Sequence, residues 1–170
     1  MADFNPAFEK MLKDEGGYQL TDIPGDRGGK TYAGIAKNAN PGWAGWPLVE
    51  RGEFGGELTT LVREFYKTNF WDRVRGDEIT SQAIAESIFN FGVNAGPGMA
   101  VKLAQIVVGA TPDGGIGPKT VELLNRSTAQ GFVASYALAK IQRYAEICNR
   151  DRGQSKFLLG WINRTLQGLK

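Results

Sequence analysis

Apolar residues recur at helical spacing over most of the chain, beginning near the N-terminus. Phe8, Met11 and Leu12 follow one another at steps of three and four, so they share one face of a helix. Asn5 is a suitable N-cap for this helix. Two consecutive glycines, which commonly end helices, come directly after Glu15. The pattern therefore predicts a first helix with Glu15 in its last turn, in line with the apolar stripe.

The same periodicity predicts a chain that is mainly α-helical after residue 56. We expect helices over residues 57–70 and 81–93, a short helix ending at 108, one over 118–124, and two more before the C-terminus. Residues 38–56 are rich in glycine and proline and are typical of a loop. Short β-capable segments at 18–21 and 30–33 favour a small N-terminal β-hairpin.

Composition changes this picture little but excludes several chemistries. The chain has 170 residues, a net charge of +2 and scattered arginines, which is typical of a soluble domain and not of a nucleic-acid-binding protein. It contains one cysteine and no histidine. Cys–His and Ser–His nucleophiles are therefore excluded, and a zinc site is not expected. We expect acid–base chemistry from Asp, Glu, Lys or Tyr, without a cofactor.

The N-terminus lacks the basic start and apolar run of a signal peptide, and no apolar stretch is long enough for an integral membrane segment. We therefore expect synthesis in the cytoplasm, and we also expect a monomer. Any action outside the cytoplasm, for example in the periplasm, would then require release by another factor.

The first forty residues combine two carboxylates and a hydroxyl in a glycine-rich stretch. Acid-catalysed cleavage of a glycosidic bond needs a carboxylic acid that protonates the leaving oxygen and a second group that acts on water. Burial beside the apolar stripe and the partial negative charge of a helix C-terminus both favour a protonated carboxyl. We therefore interpret Glu15 as the general acid, although a glutamate at a helix end is also common without catalysis.

Asp26 and Thr31 suit the second task. Asp26 can hold a water as general base or stabilise a developing oxocarbenium ion, and Thr31 can position that water through its hydroxyl. Asp22 is a competing carboxylate. A turn aspartate that bonds its own backbone and a β-branched strand residue are the alternative, purely structural interpretations.

Several polar and aromatic residues are candidates for substrate contacts. Tyr18 and Tyr32 can flank a cleft, and Asn90 and Asn94 lie four residues apart on one side of a predicted helix. Further aromatic residues are candidate sugar platforms, although burial in the core is the more common role of a tryptophan: Trp43, Trp46, Tyr66 and Trp71.

The spacing of the N-terminal motif is specific. It reads Glu15-Gly16-Gly17-Tyr18, followed by Asp26-x-Gly28-Gly29-x-Thr31-x-x-Gly34-Ile35. This pattern resembles glycoside hydrolase family 108, the N-acetylmuramidase-type lysozymes of bacteria, phages and prophages. The resemblance implies a lysozyme-like α+β fold that is mainly α, with Glu15 as the catalytic acid. A looser similarity to phage lysozymes implies a catalytic triad with Asp26 and Thr31.

The second half of the chain extends the resemblance. The segment 113–120, Asp-Gly-Gly-Ile-Gly-Pro-Lys-Thr, is similar to a turn of peptidoglycan-binding helical modules, although the turn itself is readily explained as structural. The resemblance implies a catalytic lobe over residues 1–80 and a helical, peptidoglycan-binding-like lobe over 81–170, packed as one compact unit.

The implied activity is hydrolysis of the β-1,4 bond between N-acetylmuramic acid and N-acetylglucosamine in peptidoglycan. An Asp–Thr pair that holds a water favours inversion of configuration. Two alternatives stay open. A lytic transglycosylase would need only one acid, and a wall-binding module would bind peptidoglycan without cleaving it.

Overall fold

The computed structural model describes residues 1–24 and 27–169. In these ranges the chain forms eight α-helices and one three-stranded antiparallel sheet near the N-terminus. The helices are α1 (Phe4–Asp14), α2 (Trp46–Arg51), α3 (Gly56–Tyr66), α4 (Gln82–Ala95), α5 (Pro97–Val108), α6 (Pro118–Arg126), α7 (Ala129–Arg150) and α8 (Ser155–Gln167). The strands are β1 (Leu20–Thr21), β2 (Thr31–Tyr32) and β3 (Ile35–Ala36). The predicted fold class, mainly α with a small N-terminal β element, is confirmed.

The chain divides into two compact units, which we call the N-terminal unit and the C-terminal unit. The N-terminal unit comprises Asp3–Trp71, and the C-terminal unit comprises Met1–Ala2 and the chain from Asp72 onward. Ala2 joins the second unit through a hydrogen bond from its N–H to the carbonyl of Ile79 at 2.7 Å. Among the helices that the structure describes, none combines the length and the apolar character needed to cross a membrane.

Helix α1 begins two residues earlier than its sequence suggests. Asp3, not Asn5, is the N-cap, and its carboxylate accepts a hydrogen bond from the N–H of Asn5 at 2.8 Å. Both residues are good caps, so sequence preference alone does not separate them. The apolar face of the helix is buried as predicted and includes Phe8, Met11 and Leu12.

The sheet consists of two consecutive hairpins. β1 pairs with β2, which confirms the predicted pairing between residues 18–21 and 30–33. β3 (Ile35–Ala36) pairs with β2 and was not predicted. Only Ala33 and Gly34 connect these two strands, and their φ angles of 49° and 80° are both left-handed, as a tight hairpin turn requires. Alanine is an unusual residue at the first of these positions, so the turn has no strong sequence signal.

Helix α2 lies in the segment that we expected to be a loop. Its proline is in the first turn, and Gly52 ends it in the left-handed conformation at φ 73°. The prediction was wrong for this segment because a helix of six residues is too short to show a periodicity. Its apolar residues are nevertheless buried: Trp46, Leu48 and Val49.

Helix α3 is shorter than the predicted helix over residues 57–70. The α-helix stops at Tyr66, and the chain continues as one turn of π-helix over Lys67–Trp71. The rings of Tyr66 and Phe8 lie 5.9 Å apart, so α3 and α1 pack together in the core of the N-terminal unit.

The C-terminal unit is a helical assembly in which α4, α5 and α7 pack against one another and α8 packs on α7. Its core includes Ile84, Ile88, Ala104, Leu124 and Tyr136. The Tyr136 hydroxyl donates to the carbonyl of Ala100 at 2.9 Å.

The turn at residues 113–115 is fixed from inside the C-terminal unit. Gln105 on α5 is 1% exposed, and its amide nitrogen donates to Asp113 Oδ1 at 2.8 Å and to the Gly115 carbonyl at 2.9 Å. Its amide oxygen accepts from the N–H of Gly114 at 2.9 Å. These bonds give the turn the structural role that its sequence suggested.

Candidate active site

Glu15 lies at the C-terminal end of α1, with its side chain exposed. Its N–H donates to the Met11 carbonyl at 3.0 Å, and the two glycines that follow have φ angles of 91° and 77°, so the chain turns sharply. The expected burial of Glu15 is wrong. The buried stripe of α1 ends at Leu12, and Glu15 lies past the last helical residue, next to glycines whose lack of side chains leaves it uncovered.

The Glu15 carboxylate lies close to the turn between β2 and β3. A Cβ atom added to Gly34 would lie 3.7 Å from both Cβ and Oε2 of Glu15, which is ordinary van der Waals contact. The same Cβ would lie 2.5 Å from the hydroxyl oxygen of Tyr66, which is too close for any side chain. Gly34 therefore allows the turn to lie close to both side chains.

The Tyr66 hydroxyl reaches this turn from the core. Tyr66 is 2% exposed, and its hydroxyl donates to the Ala33 carbonyl at 2.8 Å. Burial, and secondarily the negative charge of Glu15, raise the pKa of the Tyr66 hydroxyl. Glu15, the turn and Tyr66 thus form one cluster, which combines residues from the end of α1, the second hairpin and the end of α3.

Thr31 lies on β2 in the same sheet. It is half-buried, and its hydroxyl donates to the Gly29 carbonyl in a long bond of 3.4 Å. Asp26 lies outside the described residues, so its predicted role next to Glu15 and Thr31 stays a prediction. The chain directly after it is tied to Asn38, whose amide nitrogen donates to the Arg27 carbonyl at 2.8 Å.

Tyr18 and Tyr32 lie close together, but only one of them is accessible. Their ring centroids are 6.5 Å apart, and Tyr18 is 40% exposed whereas Tyr32 is 4% exposed. Tyr32 stacks on Trp43 at 6.4 Å and contacts Phe54 at 5.7 Å. The predicted substrate contact of Tyr32 is untested, but in this conformation its ring packs inside an aromatic cluster.

Phe54 is the residue in this cluster that sequence reasoning missed. It is 53% exposed although it contacts the buried Tyr32. It lies in a glycine-rich segment between α2 and α3, where no periodicity points to it. Tyr18 and Phe54 are therefore two exposed rings that both contact the buried ring of Tyr32.

Tyr18 is close to an ion pair between α1 and α3. Arg63 donates to the Glu9 carboxylate at 3.0 Å and to Asn5 Oδ1 at 2.7 Å. The pKa of Tyr18 is raised, mainly because the side chain is partly buried. The negative charge of Glu9 raises this pKa further, and the positive charge of Arg63 lowers it. Charged groups therefore lie near Tyr18, the residue that directly follows Glu15-Gly16-Gly17.

Most of the other candidate sugar platforms belong to the core. Trp71 is fully buried, and Trp46 is 3% exposed with its indole N–H donating to the Asn40 carbonyl at 2.8 Å. Trp43 is half-buried and packs edge-on against Trp46 at 5.3 Å. These tryptophans stabilise the aromatic core of the N-terminal unit.

Asn90 and Asn94 lie on α4 in the C-terminal unit. The Asn94 amide nitrogen donates to the backbone carbonyl of Asn90 at 2.9 Å, and its amide oxygen accepts from Arg164. The buried Oδ1 atom of Asn90 has no hydrogen-bond partner among the described residues. The predicted contact of both residues with substrate stays a prediction.

Comparison with known families shows which family the chain belongs to. A family model described as glycosyl hydrolase 108 matches residues 8–96, which is more than half of the chain. The chain belongs to the glycosyl hydrolase 108 family. The resemblance seen in the sequence motif is thereby confirmed. A second family model, described as a predicted peptidoglycan domain, matches residues 99–166.

A solved structure is similar to this protein along nearly the whole chain. The structure of Brucella abortus SagA is similar with a TM-score of 0.63 and 25% sequence identity, over 98% of this chain and 95% of that chain. No curated protein matches the sequence. The family and the second matched region make this protein a glycoside hydrolase that acts on peptidoglycan.

Proposed function

We propose that the protein is an N-acetylmuramidase in which Glu15 protonates the leaving oxygen of the bond between N-acetylmuramic acid and N-acetylglucosamine. The observation that carries this proposal is the placement of Glu15: it is exposed, yet its carboxylate lies close to the Ala33–Gly34 turn. A general acid must reach the substrate, and the neighbouring turn limits the positions that its carboxyl can take.

Water is the second reactant, and the proposal gives its activation to Asp26 and Thr31. The Thr31 hydroxyl donates to the Gly29 carbonyl in a long bond of 3.4 Å, which it can exchange for a bond to water. A carboxylate and a hydroxyl that share a water favour attack on the face opposite the leaving group, and hence inversion of configuration. Asp26 is the base in this scheme, and its replacement is expected to abolish hydrolysis.

Exposed aromatic rings of the N-terminal unit supply the proposed glycan contacts. Tyr18 and Phe54 are both accessible, and flat aromatic faces bind the apolar faces of sugar rings. The predicted substrate contacts of Asn90 and Asn94, which belong to the C-terminal unit, remain proposals. We also propose that the protein is a monomer and that a separate factor releases it to the cell wall.

Analysis of the products tests the bond and the reaction together. Peptidoglycan digested by the protein is reduced with borohydride, and the fragments are examined by mass spectrometry. The proposal predicts reduced N-acetylmuramic acid at the new end and fragments that contain one added water. Anhydro ends without that water would identify a lytic transglycosylase, and reduced N-acetylglucosamine would identify cleavage of the other glycosidic bond.

The role of Asp26 has its own test. A lytic transglycosylase closes a ring with the substrate's own hydroxyl and needs no water-directing carboxylate, so full activity of Asp26→Ala would contradict the proposed hydrolysis. Binding to cell walls without any soluble fragments would leave only a binding module.

A further inference from the structure

We infer that Tyr66 is a positioning residue for Glu15, and that it acts through the Ala33–Gly34 turn. This inference rests on the proposed role of Glu15 as general acid. Tyr66 does not contact the bond that is cleaved in this scheme. It holds the piece of backbone against which the acid lies.

The turn needs support because its conformation is unfavourable. Ala33 has a φ of 49°, and among the described residues only one other residue that is not glycine has a positive φ. The left-handed conformation is unfavourable for alanine because its Cβ approaches the following carbonyl oxygen. Strained backbone persists only where the surroundings fix it, and such positions cluster at functional sites. The Tyr66 hydroxyl supplies one such restraint, a buried bond of 2.8 Å to the Ala33 carbonyl.

The same hydroxyl and the Glu15 carboxylate meet at Gly34. The position of an added Cβ is 2.5 Å from the hydroxyl oxygen and 3.7 Å from Oε2 of Glu15. A shift of the turn would therefore move the backbone beside which the Glu15 carboxylate lies. Since the pKa of the Tyr66 hydroxyl is raised by burial and by the charge of Glu15, the hydroxyl keeps its proton and stays a donor over the working pH range.

The ring of Tyr66 is fixed independently of its hydroxyl. It packs against Phe8 at 5.9 Å, Phe65 at 5.4 Å and Phe70 at 5.7 Å. Tyr66 is also the residue at which α3 gives way to a turn of π-helix, a feature that is frequent at functional sites. Replacement by phenylalanine therefore removes one hydrogen bond and leaves the packing in place.

The C-terminal unit offers a matched control. Tyr136 is fully buried, and its hydroxyl also donates to a backbone carbonyl, that of Ala100 at 2.9 Å. Tyr66→Phe and Tyr136→Phe thus remove the same chemical group from the same kind of bond, but Tyr66 lies close to Glu15 in the N-terminal unit, whereas Tyr136 belongs to the C-terminal unit. Thermal melting and circular dichroism of both variants report the loss of stability that they share.

Kinetics on peptidoglycan fragments separate the two variants. For Tyr66→Phe we expect kcat to fall about 10- to 100-fold with little change in KM, because small misplacement of a catalytic group has effects of this size. For Tyr136→Phe we expect kcat within about two-fold of the parent, since the lost hydrogen bond affects stability alone. Equal kcat values for the two variants would overturn the inference.

A second substrate distinguishes positioning of the acid from a general structural defect. A muramyl glycoside with a phenol as leaving group needs little protonation, so a misplaced acid affects it less. We expect the defect of Tyr66→Phe to shrink at least about five-fold on this substrate, as this weaker demand for general acid predicts. The same defect on both substrates would show a structural role only. Should Tyr66→Phe not fold, both comparisons are made in the Ala33→Gly background, where the left-handed turn carries no strained Cβ.

Glu15→Gln separates failure of this inference from failure of the proposed function. If Glu15→Gln stays active on peptidoglycan, the acid role itself is wrong. If Glu15→Gln is inactive while Tyr66→Phe matches Tyr136→Phe, the acid role stands and only the positioning role is wrong.

Discussion

Substitution of Gly34 by alanine perturbs the cluster around Glu15 at its tightest point. The φ of 80° is left-handed, which costs a residue with a Cβ about 1–2 kcal/mol. The new Cβ would lie 2.5 Å from the Tyr66 hydroxyl, and the packed ring of Tyr66 cannot move without breaking its bond to Ala33. A buried carbonyl left without its partner costs about 1–3 kcal/mol. Together these effects lower the free energy of unfolding by about 2–5 kcal/mol.

Gly52→Ala is the control for the backbone effect. Gly52 has a φ of 73°, and an added Cβ there meets no atom of the described residues within 4 Å, so only the cost of about 1–2 kcal/mol applies. Urea denaturation of both variants gives the difference between them, which is the effect of the clash. In the Tyr66→Phe background the clashing oxygen is absent, and Gly34→Ala should cost no more than Gly52→Ala. Equal costs of Gly34→Ala and Gly52→Ala in the parent protein would refute the reasoning.

Three further predictions concern separate side chains. Thr31→Val keeps a β-branched strand residue but removes the water-positioning hydroxyl, so lysis of cell walls should fall at least about ten-fold with an unchanged melting temperature; unchanged lysis would contradict the role of Thr31. Phe54→Ala should raise KM with little effect on kcat because it removes an exposed glycan-contacting ring, and a drop in kcat alone would argue against it. Burial lowers the pKa of Lys140, which lies over the rings of Phe91 and Tyr136, to about 8 from 10.5. The unfolded chain therefore binds the proton more tightly, and the contribution of Lys140 to stability rises with pH from about 8 to 10.5. Lys140→Met should raise the free energy of unfolding at pH 7 more than at pH 10, and an equal gain at both pH values in urea denaturation would contradict this assignment.

The elements with long apolar stripes could be predicted from the sequence. The prediction of the apolar stripe of α1 was correct because residues such as Phe8 and Met11 pack in the core and follow helical spacing. The β1–β2 pairing was correct for a similar reason, since the segments on both sides of a glycine-rich stretch are β-capable. The short α2 helix and β3 were missed because elements of six and two residues are set by tertiary packing and turns.

The composition of the candidate site was only partly predictable. The motif correctly predicted that Glu15 lies at the end of the first helix, because that position is set locally, and its catalytic role stays a prediction. Exposure is a tertiary property, and the expected burial of Glu15 was wrong. The contact between Glu15, Gly34 and Tyr66 joins residues that are far apart in the chain, and no local pattern indicates it. Tyr66 lies on the buried side of a helix, where its sequence environment is that of an ordinary core residue.

The measurement that tests the account most directly compares Glu15→Gln with Asp14→Asn. Asp14 is the last residue of α1 and is also exposed, so the two variants lose one negative charge at neighbouring positions with nearly unchanged shape. The rate of release of soluble muropeptides from purified cell walls should fall at least about 100-fold for Glu15→Gln, as expected for loss of a general acid, and stay near the parent rate for Asp14→Asn. Full activity of a folded Glu15→Gln protein, or an equal loss in both variants, would contradict the central claim.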